Sequence, residues 1–405
     1  MPKVIPFKAC RPTRDKAGLV ASRSFIEYSE EDLSEKLINN PYTFLHVIYP
    51  DFGTPGWHDQ SQEYRFSRVR KAYEDFLDQN FLKRDEEASF YVYRQLKDGY
   101  SYTGIIGGVS TQDYDEGRVK VHEHTITARE EMFKEYLKHT SINAEPVLLA
   151  YPNVETIDAL LEEITNERAD FEFTTTDRAT HYLWPITNPN HIDLIQQKFA
   201  EVEAFYIADG HHRSASSALL AKDLNNNPAA QYSMCYLLAE SQMHIMSFSR
   251  FVKHLNGISE EDFLEKIKSK FTVTPSDKAV QPTRVHEFGM YMNHKWYTIV
   301  PHKDLYDEAH PVKHLDCSIL DQLVLNPILG IEDAKTDSRI SFQGEHIGTQ
   351  GVERLVNSGR YEVGFTLYPV TMNQLKLVAD TNNIMPPKST WVEPKLRSGL
   401  VIYEF

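Results

Sequence analysis

Cysteine is scarce in this 405-residue chain: Cys10, Cys235 and Cys317 are its three thiols, far apart, odd in number and without a Cys-x-x-Cys spacing. That pattern fits neither a disulfide framework nor a thiolate zinc site, and it points to a reducing compartment. Positive charge is also short. Lys and Arg number 43 against 58 Asp and Glu, a formal net charge of −15, which argues against a general nucleic-acid partner because duplex binding relies on clustered cations. No apolar run approaches the roughly 20 residues of a membrane-spanning helix. Met1 to Phe7 lacks an extended apolar core before the charged stretch Arg11 to Lys16, so no secretory signal is read there, no membrane partner is expected and the location expected is cytoplasmic. Gly104, Gly107 and Gly108 are not followed by Gly-Lys-Ser/Thr and open no helix, which excludes a P-loop and a dinucleotide fingerprint. Repeats and low-complexity tracts are absent.

What is present reads as a mixed α+β chain with enough apolar residues, 41%, for a sizeable core. Ser29 and the acids after it cap a helix bearing Leu33 and Leu37. Phe44 to Tyr49 reads as a strand. Tyr64 to Phe81 carries apolar residues at three- and four-residue spacing, a long amphipathic helix with Arg65, Arg68 and Arg70 on its solvated side. Strands are expected at Ser89 to Gln95 and Tyr102 to Val109 around Lys97-Asp98-Gly99, at Val147 to Tyr151, and as a hairpin at Phe171 to Thr175 and His181 to Ile186. Thr156 to Ile164 reads as a helix; Asn188-Pro189 opens another, and Thr127 with Glu130 makes a capping box for a third. Tyr232 to Leu238 and His244 to Phe251 read as strands returning to the same sheet, Ser259 as the cap of a helix carrying Phe263, Ile267 and Phe271, and Asn293-His294-Lys295 as a hairpin turn. A soft boundary near 255 divides an α/β core, 1–255, from an α+β region, 256–405.

The chemistry concentrates in Tyr206 to Ser217. An apolar strand, Ala204 to Ala208, meets a turn at Gly210 and then a helix, which aims the unbonded amides of the first helical turn and the positive end of the dipole at the loop. Such an end suits an anion. Arg213 adds a fork of donors for phosphate or carboxylate oxygens, and Asp209 is placed to act as a base or to hold Mg2+. His211 and His212 point in different directions, so the two do not share one metal.

Two further stretches bear reactive groups. In Val121-His122-Glu123-His124-Thr125, Glu123 is a carboxylate able to take a proton from a hydroxyl or to coordinate magnesium. In Met385-Pro386-Pro387-Lys388-Ser389-Thr390 the prolines fix an extended approach, and Lys388 with the hydroxyls of Ser389 and Thr390 suits an anion-binding loop. The expectation is that this loop approaches Asp209 to Arg213.

The box Asp209-Gly210-His211-His212-Arg213 resembles the second signature of the ParB-like and sulfiredoxin-like superfamily, whose members bind nucleotide phosphates at this turn and include a free-serine kinase. Asn40 to Val47, Val121 to Thr125 and Met385 to Thr390 with Pro394 to Leu400 resemble DUF1015, a large bacterial and archaeal family without an assigned activity. The resemblance implies a ParB/sulfiredoxin-like nucleotide-binding core and a phosphotransferase using ATP or ADP with Mg2+ on a small hydroxyl metabolite, free serine first among them. Gly210, His212, Arg213 and Ser214 would then hold phosphates, joined by Lys388, Ser389 and Thr390. Asp209 or Glu123 would hold the metal or activate the hydroxyl, with His211 completing the catalytic set. Departures narrow the field: sulfiredoxin has a cysteine where His211 stands, and the chromosome-segregation relatives have Glu-Arg in place of His211-His212. Two other readings use the same turn, a non-catalytic nucleotide- or metabolite-binding regulator and a hydrolase of phosphate esters.

Overall fold

The computed structural model describes residues 1–24 and 27–405, the side chain of His58 excepted. It is a mixed α+β protein of two compact units. The first comprises Met1–Lys120, His124–Met243 and Pro394–Phe405; the second comprises Val121–Glu123 and His244–Glu393. The boundary expected near 255 therefore lies inside the second unit. Among the described residues no helix is long and apolar enough to cross a membrane.

The first unit is built on a nine-stranded sheet. Its strands are β1 (Val4–Ile5), β2 (Phe90–Lys97), β3 (Tyr100–Ser110), β4 (Val119–Lys120), β5 (Val147–Tyr151), β6 (Phe171–Thr174), β7 (Thr180–Ile186), β8 (Phe205–Asp209) and β9 (Tyr232–Ala239), in the order β4-β8-β5-β9-β3-β2-β7-β6 with β1 on β3. The β4–β8 and β5–β9 pairs are parallel and the rest antiparallel. All five residues of β5 and seven of the eight in β9 are buried, which explains why these strands read as continuous apolar runs rather than alternating ones. Asp98 and Gly99, at φ 51° and 83°, make the tight turn between β2 and β3. Gly104 is required by close approach: a Cβ there would stand 2.3 Å from the Leu237 carbonyl oxygen.

The helices of this unit are α1 (Glu30–Asn39), α2 (Gln62–Asp78), α3 (Thr127–Thr140), α4 (Glu155–Thr165), α5 (Pro189–Glu201) and α6 (His211–Asp223), beside shorter ones. Ser29 caps α1 through the Asp32 amide, and Asn188 caps α5 with Pro189 at its first position. Four expectations change. Phe44 to Tyr49 is helical, at Leu45–Ile48, because Phe44, Val47 and Ile48 recur at helical spacing and pack together with Val69, Tyr73 and Phe76 of α2. Ile126, not Thr127, is the cap of α3 and makes no side-chain capping bond, so the expected box is absent. Arg68 and Arg70 are not simply solvated: they bond Asp51 and the Thr140 carbonyl. His244 to Phe251 does not rejoin the first sheet.

That segment instead starts the second unit, where a strand at His244–Met246 pairs with Trp391–Glu393. Its six-stranded sheet uses β10 (Phe248–Val252), β11 (Phe271–Ser276), β12 (Phe288–Met292), β13 (Lys295–Pro301), β14 (Ile340–Gly344) and β15 (Val363–Leu367), ordered β11-β13-β12-β15-β10-β14. Every pair is antiparallel. Helix α7 (Glu260–Lys268), capped by Ser259, stops before Phe271, which begins β11. Helices α8 (Gly348–Asn357) and α9 (Met372–Asp380) follow, α9 with both bonds of a Thr371/Gln374 capping box. Asn293 and His294, both at positive φ, form the turn joining β12 to β13.

Candidate functional site

The reactive turn is shaped by the strand that leads into it. Ile207 of β8 faces Leu149 of β5 and Asp209 faces Leu148, so the register slips and Ala208 is bulged. Bulges re-aim the side chain that follows, and here that side chain is Asp209. Gly210 then takes φ 99° and ψ 30°, a left-handed conformation that favours glycine. Helix α6 begins at once: the Ser214 amide bonds the Gly210 carbonyl at 3.0 Å, and the three amides before it have no carbonyl one turn back. Small residues let α6 sit close to its neighbours. Two of its buried serines donate their hydroxyls to carbonyls, Ser216 to those of His212 and of Glu130 in α3 and Ser217 to that of Arg213.

Around this turn stands a charged network inside the first unit. Arg213 donates through Nη1 to Glu145 and, at 2.9 Å, to the Pro146 carbonyl; its Nη2 donates to Asp209 Oδ2 at 3.0 Å. Lys395 Nζ lies 3.8 Å from the other Asp209 oxygen. Ser398 donates to Glu145 Oε2 at 3.1 Å. Two carboxylates thus share one guanidinium, with an ammonium beside the more exposed of them. Glu27 is exposed as a residue, yet burial around its carboxyl raises its pKa, with Lys395 and then Arg23 opposing.

The expected site residues are divided between the two units. Asp209, Gly210, Arg213 and Ser214 are together, Ser214 buried. His211 is buried, 5% exposed. His212 Nε2 accepts the Ile126 amide at 3.1 Å, which puts the proton of a neutral ring on Nδ1 and ties the start of α3 to the turn. Glu123, Lys388, Ser389 and Thr390 belong to the second unit. There the two outlying motifs meet each other: the Met385 amide donates to the His122 carbonyl at 2.9 Å.

In the second unit Lys388 is exposed at φ 56°, its Nζ 5.4 Å over the Phe248 ring. Ser389 is buried and donates to the Pro386 carbonyl at 2.6 Å, with Cys317 Sγ at 3.2 Å. Beneath lies Arg250, 2% exposed, which bonds the Phe248 carbonyl. Asp316 Oδ1 accepts both the amide and Nδ1 of His286. That contact raises the His286 pKa, whereas burial raises those of Asp316 and Asp321. The cavity bordering Arg250 and Asp316 measures about 10 Å³, too small for a metabolite.

Glu145, Lys395 and Ser398 escaped the sequence reading as site residues. Glu145 carries no motif signal, but Lys395 and Ser398 stand in the Pro394 to Leu400 stretch that also resembles the family. Among the described residues no group of three or more His, Cys, Asp or Glu could hold a metal by itself.

A family model described as "Protein of unknown function (DUF1015)" matches residues 4–318. The chain belongs to the DUF1015 family. No curated protein sequence matches it. Among solved structures it is similar to a C-terminally truncated SbnI from Staphylococcus aureus, at TM-score 0.39 and 13% identity over 71% of this chain and 82% of that one. It is also similar to a free serine kinase variant in complex with AMP, at TM-score 0.35 and 14% identity over 70% and 88% of the two chains. A conserved hypothetical protein from Pyrococcus furiosus matches at TM-score 0.32 and 16% identity over 70% and 92%.

Proposed function

We propose that this DUF1015 protein is a nucleotide-dependent phosphotransferase acting on a small hydroxyl metabolite, with free serine the first candidate and ATP or ADP the donor. The observation that carries the reading is the turn Asp209 to Arg213: a bulged strand, a left-handed glycine and a helix amino end gathered with two carboxylates and two cations. Phosphoryl transfer is mostly positioning and charge stabilisation, and this set contains groups for both. The α6 amino end and Lys395 suit phosphate oxygens, while Asp209, with one oxygen 3.8 Å from Lys395 Nζ, suits deprotonation of a hydroxyl.

The donor set fits Mg2+ in one form only. Magnesium binds through one or two carboxylates plus substrate phosphates rather than in an all-protein cage, and Asp209 and Glu145, which share Arg213, are such a pair. They would hold Mg2+ together with the nucleotide, and the bound ion would neutralise charge on the phosphates. Arg213 is committed to Glu145 and Asp209, so it engages a phosphate only by exchanging partners.

That commitment favours one second reading, a non-catalytic nucleotide-binding regulator in which the exchange at Arg213 is the signal. Calorimetric titration of ATP and ADP, with and without Mg2+, into wild type and Arg213→Ala tests the shared premise. Saturable binding that the substitution weakens supports a nucleotide site at the turn; absence of binding in wild type ends both readings.

A further inference from the structure

The first unit carries a second concavity, lined by none of the residues of the Asp209 turn. It is a groove of about 330 Å³ bordered by Arg94 of β2, Thr103 of β3, Asp158 and Glu162 of α4, and Ser241 with Gln242 beyond β9. Its floor and rim are fixed. Gln242 Oε1 accepts the Thr103 amide at 2.8 Å, and the Asn153 side chain bonds both the hydroxyl and the amide of Ser241. Its charges, in contrast, are uncommitted. Arg94 spends only Nε, on Thr103 Oγ1 at 2.9 Å, while its guanidinium lies 5.5 Å over the Trp184 ring. Both terminal nitrogens lack an acceptor among the described residues. Asp158 and Glu162, one turn apart on α4, make no ion pair with Arg94 or with another described cation. A like-charged pair at that spacing is unfavourable by itself.

We propose that this groove binds a free α-amino acid, its carboxylate on Arg94 and its ammonium on Asp158 and Glu162, with a basic side chain preferred. The guanidinium fork matches a carboxylate in geometry as well as charge. Two carboxylates against one guanidinium leave the groove one charge negative, which disfavours a simple anion. A ligand with ammonium groups alone meets Arg94 as a like charge. A zwitterion carrying one extra positive charge satisfies all three groups, and a cavity near the lower end of the ligand range limits the ligand to metabolite size. Burial and then Glu155 raise the Asp158 pKa, a strain that an arriving ammonium relieves. This site is independent of the phosphotransferase reading.

The test is calorimetric titration of the full chain with lysine, with cadaverine, which lacks the carboxylate, and with hexanoate, which lacks the ammonium groups. Lysine is expected to bind saturably at millimolar concentration or below, and the other two about tenfold more weakly or not at all. Glu162→Gln, at an exposed position that spares the fold, and Arg94→Gln, with folding checked by circular dichroism, are each expected to weaken lysine by about tenfold. Asp209→Asn is expected to leave it unchanged. Absence of saturable lysine binding, cadaverine binding as tight as lysine, or unaltered affinity in Glu162→Gln would each overturn the proposal.

Discussion

Gly210→Ala probes the geometry on which the candidate site depends. At φ 99° an L-residue is strained, a penalty of about 1–3 kcal/mol. The added Cβ would stand 2.9 Å from Arg213 Nε and 3.0 Å from Nη2, closer than nonbonded atoms settle, so the guanidinium must move. Moving it breaks the 3.0 Å contact to Asp209, whose side chain is 40% exposed, a partly screened pair worth about 0.2–1 kcal/mol. The expected loss is about 1–4 kcal/mol, read from urea unfolding followed by fluorescence. In an Arg213→Ala background the steric part disappears, leaving about 1–3 kcal/mol from the backbone. A loss below about 0.5 kcal/mol in wild type, or an equal loss in both backgrounds, refutes the contact between Gly210 and Arg213.

Acid should destabilise the first unit through His181, which is fully buried and whose pKa burial lowers to about 3. The unfolded chain takes the proton first, near pH 6.5, so this group's stability is present above that value and is lost as pH falls toward 3, by about 1.4 kcal/mol per pH unit. Urea midpoints at pH 7 and pH 5 should converge in His181→Gln relative to wild type. In the second unit the sign reverses: His286 has a raised pKa from Asp316, so its contribution is full below about pH 6.5 and is lost as pH climbs through the higher folded value. His286→Gln should flatten the alkaline side of a melting-temperature profile, and an unchanged profile contradicts the pairing. Gly104→Ala drives a Cβ to 2.3 Å from the Leu237 carbonyl between paired strands, where the backbone has little room to yield. A loss of about 3 kcal/mol is expected from chemical denaturation, and a neutral substitution contradicts the packing.

The central turn was legible because its signals are local. A short buried strand, a glycine and a run of small residues predict strand, turn and helix together, and β8 and α6 have that arrangement. The same holds for Asp98-Gly99 and Asn293-His294, where the residues that tolerate positive φ sit between two strands. Phe44 to Tyr49 is ambiguous in the sequence because six apolar-rich residues satisfy a strand and a helix alike, and the packing against α2 selects the helix. His244 to Phe251 was assigned to the wrong sheet for a related reason: strand pairing is a long-range choice that alternation does not encode. The partners of the turn were hidden by separation in sequence. Glu145 lies 68 residues before Arg213, and Lys395 and Ser398 arrive from the C-terminal stretch. Lys395 and Ser398 stand in no reactive run of their own, and only the fold brings them to Asp209 and Glu145.

The measurement that bears most directly on function is mass spectrometry of wild type and Asp209→Asn incubated with Mg2+, ATP or ADP and a pool of hydroxyl metabolites that includes serine. Phosphoryl transfer at the turn predicts a new phosphorylated metabolite with wild type, phosphoserine first, and its loss in Asp209→Asn with the fold intact. Tight nucleotide binding with no product under any condition, or product formed equally by Asp209→Asn, would contradict it.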